Sequence, residues 1–466
     1  MKKHSLLLIV VCTFFSQIAL AQSDSLMSFS LEAAQAFALE NNDTIKLAKL
    51  EEDKSLAQIK ETRAIGLPQV NGKLGMQYFF DIPTQLLPDF VTPAVYGVLL
   101  AEGVQIQTDP TNIPMGGMTP AQFGTNYNIS AEVSVNQLIF DGQYIVGLKA
   151  SRAVKDLSAS LRNTSEIGVK ANVAKLYLQT LVLAENQELL IKNQKELDKN
   201  ISEMKILFEE GLADELDVDR LVLTKQRIDN QVKNILNAHA MVKLLLKLQM
   251  GYPVEKPIEL TDNLEMHTNS GSELATNKAN PQARPEYQTL LLNRELQRLD
   301  MKRWQAGYIP QFVGYFSYSE NALVNELDMA NEGDNWFPTT VGGLQLNVPI
   351  FDGLTKSAKI QQSKVEVQKA DIQLHQFEQA VIMQVEGAKN NYLLAQSEFE
   401  TEKANLELAQ KIYDRSKIMY EEGVGSSFEL TSALTDLYTA QSAYLQSSYK
   451  LITTQINLEQ ALGQYN

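Results

Sequence analysis

The chain has 466 residues, 44% of them hydrophobic and 21% charged, with a formal net charge of −15. That acidity argues against nucleic acid or an anionic membrane surface as a partner. The single cysteine, Cys12, leaves no disulfide framework to build on.

Lys2 and Lys3 precede an apolar run from Leu6 to Phe15, followed by Ala19-Leu20-Ala21 and Gln22. A basic start, a short apolar core and a small-x-small site predict a cleaved secretory leader over 1–21. Cys12 lies inside the apolar run after Val11, where a lipidation site wants a small residue, so it is expected to leave with the leader. Loss of Lys2 and Lys3 takes the formal charge to −17. The remaining chain lacks an apolar stretch of ~18 residues, so any membrane crossing must use strands closed into a barrel.

The body of the chain is duplicated. Ala64-x-x-Leu67-Pro68-Gln69-Val70 answers Ala306-x-x-Ile309-Pro310-Gln311-Phe312. Leu138-Ile139-Phe140-Asp141-Gly142 answers Pro349-Ile350-Phe351-Asp352-Gly353. Lys205-Ile206 through Glu209-Glu210-Gly211-Leu212 answers Lys417-Ile418 through Glu421-Glu422-Gly423-Val424, and Met250-Gly251 answers Leu462-Gly463. The first copy holds about thirty extra residues within Asp81–Phe123, a proline-rich stretch that reads as a long loop at a hairpin tip.

The expected organisation follows in chain order: a first repeat over 22–251, with a β-hairpin at about 69–137 and long helices at about 142–250; a linker over 252–282; and a second repeat over 283–466, with a hairpin at about 311–350 and long helices at about 353–462. Period-two alternation carries the strands: Tyr127, Ile129, Ala131, Val133 and Val135 interleave with polar residues, and so do Leu344, Leu346, Val348 and Ile350. Only Gln311–Glu320 is ambiguous. Proline is absent from 121–252 and from 350–466, where long helices are therefore allowed. Spacing by fours and threes through Val381, Val385, Ala388, Tyr392, Ala395 and Phe399 predicts coiled-coil packing. A helix from Gly142 to Phe208 would be ~100 Å long.

Strands apolar on one face and polar on the other fit a membrane barrel with a wet lumen, or else a half-buried soluble sheet. Four strands cannot close a barrel when the smallest have about eight, so several chains must contribute.

The motif order resembles the TolC family of outer-membrane efflux proteins. The resemblance rests on Ser30-Leu31-Glu32-Ala33 with Ala38-Leu39-Glu40-Asn41-Asn42, the Leu-Pro-Gln-Val and Ile-Pro-Gln-Phe strand entries, the Ile-Phe-Asp-Gly strand exits, the Glu-Glu-Gly turns, Arg284-Pro285-Glu286 and Ala461-Leu462-Gly463. It implies a mainly α chain with membrane β-strands: a homotrimer whose hairpins form a 12-stranded barrel in outer-membrane lipid, above a periplasmic α-helical barrel. The tip is expected to dock a periplasmic adaptor protein linked to an inner-membrane RND or ABC pump. The function implied is a passive exit duct for efflux or type I secretion. Asp43, where many relatives have proline, is a minor departure.

The turns admit two readings. Gly211 and Gly423 supply the left-handed conformation that reverses a chain, and reversal alone accounts for them. By resemblance, Gly211, Leu212, Ala213, Gly423, Val424 and Gly425 form the adaptor-docking tip. Asp217 and Glu429 likewise read either as solvated first-turn acids or, by resemblance, as an acidic ring at the pore's narrowest point. Gly425 replaces an arginine that locks some relatives shut, and Ser432 replaces a second acid, so a lock of that kind is not expected. His239, His267 and His375 are scattered, and no catalytic or phosphate-cradling motif is present, so neither catalysis nor a cofactor is expected. A periplasmic coiled-coil scaffold or adhesin without a pore is the rival reading.

Overall fold

The computed structural model describes residues 27–89, 91–105, 117–211, 213–264 and 274–464; the expected leader and Leu212 lie outside them. In chain order the elements are β1 (Met27–Phe29), α1 (Leu31–Asn41), α2 (Asp43–Ala64), β2 (Gln69–Tyr78), β3 (Thr84–Pro88), α3 (Val91–Ala101), β4 (Met118–Gln122), β5 (Tyr127–Phe140), α4 (Gly142–Glu209) and α5 (Glu215–Met250). There follow β6 (Ile258–Leu260), α6 (Pro285–Ala306), β7 (Gln311–Val324), β8 (Trp336–Asn347), α7 (Thr355–Glu421) and α8 (Ser427–Leu462). None of the described helices is long and apolar enough to cross a membrane. The chain forms two units, one of residues 57–151 and 298–364, the other of the remainder.

The first unit holds an antiparallel sheet in the order β2-β5-β7-β8, so the two repeats meet along β5 and β7 while β2 and β8 are edges. The register puts like with like. Val70 pairs with Val135 and Met76 with Ile129, while Asn71 pairs with Ser134 and Gln77 with Asn128. Val135 in turn faces Phe316, and Ser134 faces Ser317. One face is therefore apolar and the other polar, as strand alternation requires.

Two residues explain why β7 reads ambiguously. Tyr315 falls on the polar face, where its ring lies across Gly343: a Cβ there would meet the hydroxyl at 2.6 Å. Glu320 falls on the apolar face and accepts the Tyr318 hydroxyl at 2.5 Å. β8 stops at Asn347, two residues before Pro349, which has no N–H for a ladder.

The loop expected over Asp81–Phe123 has structure of its own. β3 pairs antiparallel with β4, and α3 lies between them. Asp89 starts that helix, its Oδ1 accepting the N–H groups of Val91 and Thr92 at 3.1 and 3.0 Å. Pro93 sits in the first turn, where its missing N–H costs nothing.

Among its described residues the second unit is mainly helical, with the parallel pair β1–β6. Val381, Val385, Tyr392 and Phe399 of α7 are buried against Leu451, Leu458 and Leu462 of α8, along the stripe set by the four-three spacing. Full burial of such a side chain contributes about 1.5–3 kcal/mol. A second core gathers Phe29, Ala34, Ala38, Val173, Tyr177, Leu246 and Met250. The Tyr177 hydroxyl donates there to the Phe29 carbonyl at 2.9 Å and so fixes β1.

Asn42 ties the first repeat together. Its Oδ1 accepts the Thr44 N–H at 2.8 Å to start α2, and its Nδ2 donates to the Gln249 carbonyl at 2.6 Å at the end of α5. Gly251, at φ 71°, closes the same corner, where a Cβ would strike the Asn41 carbonyl. The second repeat repeats the corner with Gly463, at φ 70° and 2.7 Å from the Ala283 carbonyl by the same measure. Arg284 Nη1 braces it by donating to the Ala461 carbonyl at 3.3 Å.

Gly211→Ala, in open space at φ 75°, is expected to cost only the left-handed penalty of about 1–2 kcal/mol. Gly251→Ala adds a main-chain collision to that penalty. Thermal unfolding should show Gly251→Ala as clearly the less stable of the two; equal midpoints would contradict the close approach at Asn41.

Candidate functional site

Each repeat ends its first long helix at a left-handed glycine, Gly211 at φ 75° and Gly423 at φ 72°. The Gly211 N–H donates to the Phe208 carbonyl at 3.0 Å, and the Gly423 N–H to the Tyr420 carbonyl at 3.1 Å. In the second turn the Val424 and Gly425 N–H groups both donate to the Met419 carbonyl, at 3.0 and 2.9 Å. Gly425 is closely approached: a Cβ there would stand 3.0 Å from Met419 Cβ, so the neighbouring turn would have to yield by a few tenths of an ångström. Ala213 is half-buried against the helical core, whereas Val424 is 74% exposed. Ile206, Phe208, Leu216, Ile418 and Phe428 are exposed as well.

The two helix starts differ. Asp214 stands at the N-cap of α5 with no side-chain cap bond. Before α8 a capping box forms: Ser426 Oγ accepts the Glu429 N–H at 3.2 Å, and Glu429 Oε2 accepts the Ser426 N–H at 3.1 Å. Glu429 is thus exposed yet tethered to its own helix. Asp217 is more enclosed and has a counter-ion, with its Oδ1 3.7 Å from Arg220 Nη1.

Arg220 also links the repeats, since its guanidinium lies 5.0 Å from the centre of the Phe428 ring. A chain of contacts therefore runs from Asp217 through Arg220 to Phe428, the residue before Glu429. The sequence reading does not single out Arg220 or Phe428. The legible signals are modest: Arg220 is the first base after Asp214, Glu215, Asp217 and Asp219, and it stands at helical spacing from Asp217.

Three tyrosines line the adjoining core. The Tyr420 hydroxyl lies 3.4 Å from Met204 Sδ, and burial pushes it above the usual tyrosine range, with Asp217 and Glu203 adding to the shift. Tyr413 donates to Glu196 Oε1 at 3.0 Å, and Tyr438 to the Asn193 carbonyl at 3.3 Å. Burial first, then the Glu196 carboxylate, pushes both hydroxyls upward. Met204, Leu221, Tyr413, Tyr420 and Leu434 border a cavity of about 100 Å³. Among the described residues no group of His, Cys, Asp and Glu is placed to hold a metal.

Residues 282–464 match the family described as outer membrane efflux protein. The chain is 22% identical over 362 residues to outer membrane protein TolC of Salmonella enteritidis, covering 74% of this chain and 71% of that protein. It is 24% identical over 316 residues to the probable efflux pump outer membrane protein TtgC of Pseudomonas putida, covering 66% of this chain and 62% of that protein. The crystal structure of CusC superposes with a TM-score of 0.70 at 14% identity, covering 93% of this chain and 91% of that one. That likeness shows the fold.

A tyrosine whose hydroxyl titrates higher when folded than when unfolded stabilises the fold fully below the unfolded value of about 10. The contribution is lost as pH rises through the raised folded value. Thermal stability should therefore hold from neutral pH to about 10 and fall beyond it, with a shallower fall in Tyr413→Phe. Identical alkaline profiles for the two proteins would contradict a coupled Tyr413–Glu196 pair.

Proposed function

We propose that this chain is a TolC-like outer membrane efflux protein, three copies of which form a passive exit duct through the outer membrane. The observation that carries this is the sheet of the first unit, with one apolar face, one polar face and two unpaired edges. Such a sheet is satisfied in lipid when its edges close on further copies. Three copies supply twelve strands around a wet lumen.

Export through the Sec route, a helical barrel reaching into the periplasm, and coupling through an adaptor protein to an inner-membrane RND or ABC pump complete the reading. The exposed apolar side chains at the two helix turns support docking there, since a cluster of this kind marks an interaction surface. The scaffold or adhesin reading gives no reason for an apolar sheet face. Energy comes from the pump, while the duct supplies a path and a gate.

The gate is assigned to Asp217 and Glu429. Three copies of each ring the pore with carboxylates and favour cations. Asp217 carries Arg220 as its counter-ion, so Glu429 dominates the selectivity. The cavity under the tyrosines leaves slack for two alternative helix packings.

In planar bilayers the purified trimer should conduct, and a protein that inserts no channel would return the assignment to the scaffold. Glu429→Ala should shift the reversal potential toward lower cation selectivity. Arg220→Ala should shift it the opposite way by unmasking Asp217. Reversal potentials unchanged in both variants would remove the acidic ring.

A further inference from the structure

We propose that the foot of the second repeat binds the headgroup of an anionic glycerophospholipid in the leaflet nearest the helices, an inference that rests on the outer-membrane reading above. The two repeats share their left-handed turn glycines and their Ile-Phe-Asp-Gly strand exits, but they part in chemistry at the foot. Arg303, Trp304 and Tyr308 stand where the first copy has Glu61, Thr62 and Gly66. Lys356 and Lys359 stand where it has Ile145 and Leu148.

The five residues form a constructed patch. Arg303 Cζ lies 5.1 Å and Lys359 Nζ 6.0 Å from the Trp304 ring, and Lys356 Nζ lies 5.6 Å from the Tyr308 ring. Asp300 sits 2.8 Å from Arg303 Nη2 but also accepts the Ser363 hydroxyl at 2.7 Å. Asp352 sits 3.5 Å from Lys356 Nζ. Lys359 Nζ donates to the neutral Gln362 Oε1 at 3.3 Å. Three cations thus share two carboxylates, which leaves one positive charge over, and the aromatic rings hold the cationic groups in place.

Beside the patch is an apolar spur. Ile350 is 92%, Phe351 79% and Leu354 67% exposed, and Leu354 is held at φ 67°, a conformation unfavourable to leucine. Apolar side chains, then Trp and Tyr, then Lys and Arg is the order that meets acyl chains, interface and phosphate.

The charge distribution agrees. The chain as a whole carries −15, yet residues 57–68, 141–151, 298–310 and 350–364 at the foot hold nine Lys and Arg against four Asp and Glu. At the opposite end of the sheet, the described residues 79–89, 91–105, 117–126 and 325–335 hold seven Asp and Glu with no Lys or Arg. The acidic total argues against an anionic surface for the protein as a whole, while the foot reverses that balance locally.

The test is native mass spectrometry of the delipidated full-length trimer, given phosphatidylglycerol or phosphatidylethanolamine of equal chain length. Retention of phosphatidylglycerol, up to one per protomer, with little phosphatidylethanolamine, is the expected result. The combined variant Arg303→Gln, Lys356→Gln, Lys359→Gln should retain about tenfold less, and Lys60→Gln with Lys149→Gln should match the parent. Equal retention of the two lipids, or full retention by the triple variant, overturns the site. Displacement of the lipid by millimolar inorganic phosphate assigns the patch to a free anion and also overturns it. The comparison of headgroups on the parent protein stands even if the triple variant fails to assemble. A parent protein that shows no trimer mass at all sinks the outer-membrane reading itself, which a trimer without lipid does not.

Discussion

The unpaired edges of β2 and β8 are the constraint on which the account depends. Each edge presents main-chain N–H and C=O groups that lipid cannot satisfy, and leaving one such group unmade costs several kcal/mol. A sheet with an apolar face and a polar face can meet that demand by joining copies edge to edge until none is left open. The register secures the two faces: because Val70, Val135 and Phe316 fall in one row and Asn71, Ser134 and Ser317 in the next, a slip of one residue would turn polar groups onto the apolar face.

The duplication shows which features the architecture needs and which it leaves free. Both copies keep a left-handed glycine at the helix turn and another at the corner where the last helix of the repeat meets the main chain before the first. Those positions are set by backbone geometry, and drift there is costly. Helix starts and the foot have diverged. One repeat opens its second long helix with an uncapped Asp214, the other with the Ser426–Glu429 box. One foot has Glu61, Ile145 and Leu148 where the other has Arg303, Lys356 and Lys359. In the proposed trimer the two chemistries alternate around a ring whose frame is uniform.

Much of this was legible in the sequence because it follows from periodicity and backbone-special residues. The proline-free spans hold the four longest helices, and Val381 through Phe399 form a buried stripe. What stayed hidden depends on contacts between distant residues. β3, β4 and α3 hide among prolines, of which Pro88 ends β3, Pro93 lies in the first turn of α3 and Pro120 lies within β4. Tyr315 breaks the alternation of β7 because it covers Gly343 on the neighbouring strand. Asn42 reads as a motif residue, while its clamp on Gln249 spans more than two hundred positions. At the candidate gate the acids could be named in advance, but Arg220 and its stack on Phe428 could not, because pattern alone does not pair one repeat's helix with the other's.

The central claim is that β2 of one copy closes on β8 of the next. Cysteine at Asn71 in β2, paired in turn with single cysteines along β8, tests it directly, because within one chain β5 and β7 lie between the two strands and a disulfide needs Cα atoms within about 7 Å. The account predicts that one register yields a covalent trimer on non-reducing gels, with no larger species. Monomers at every position, or an open ladder of higher oligomers, would contradict a closed ring of three.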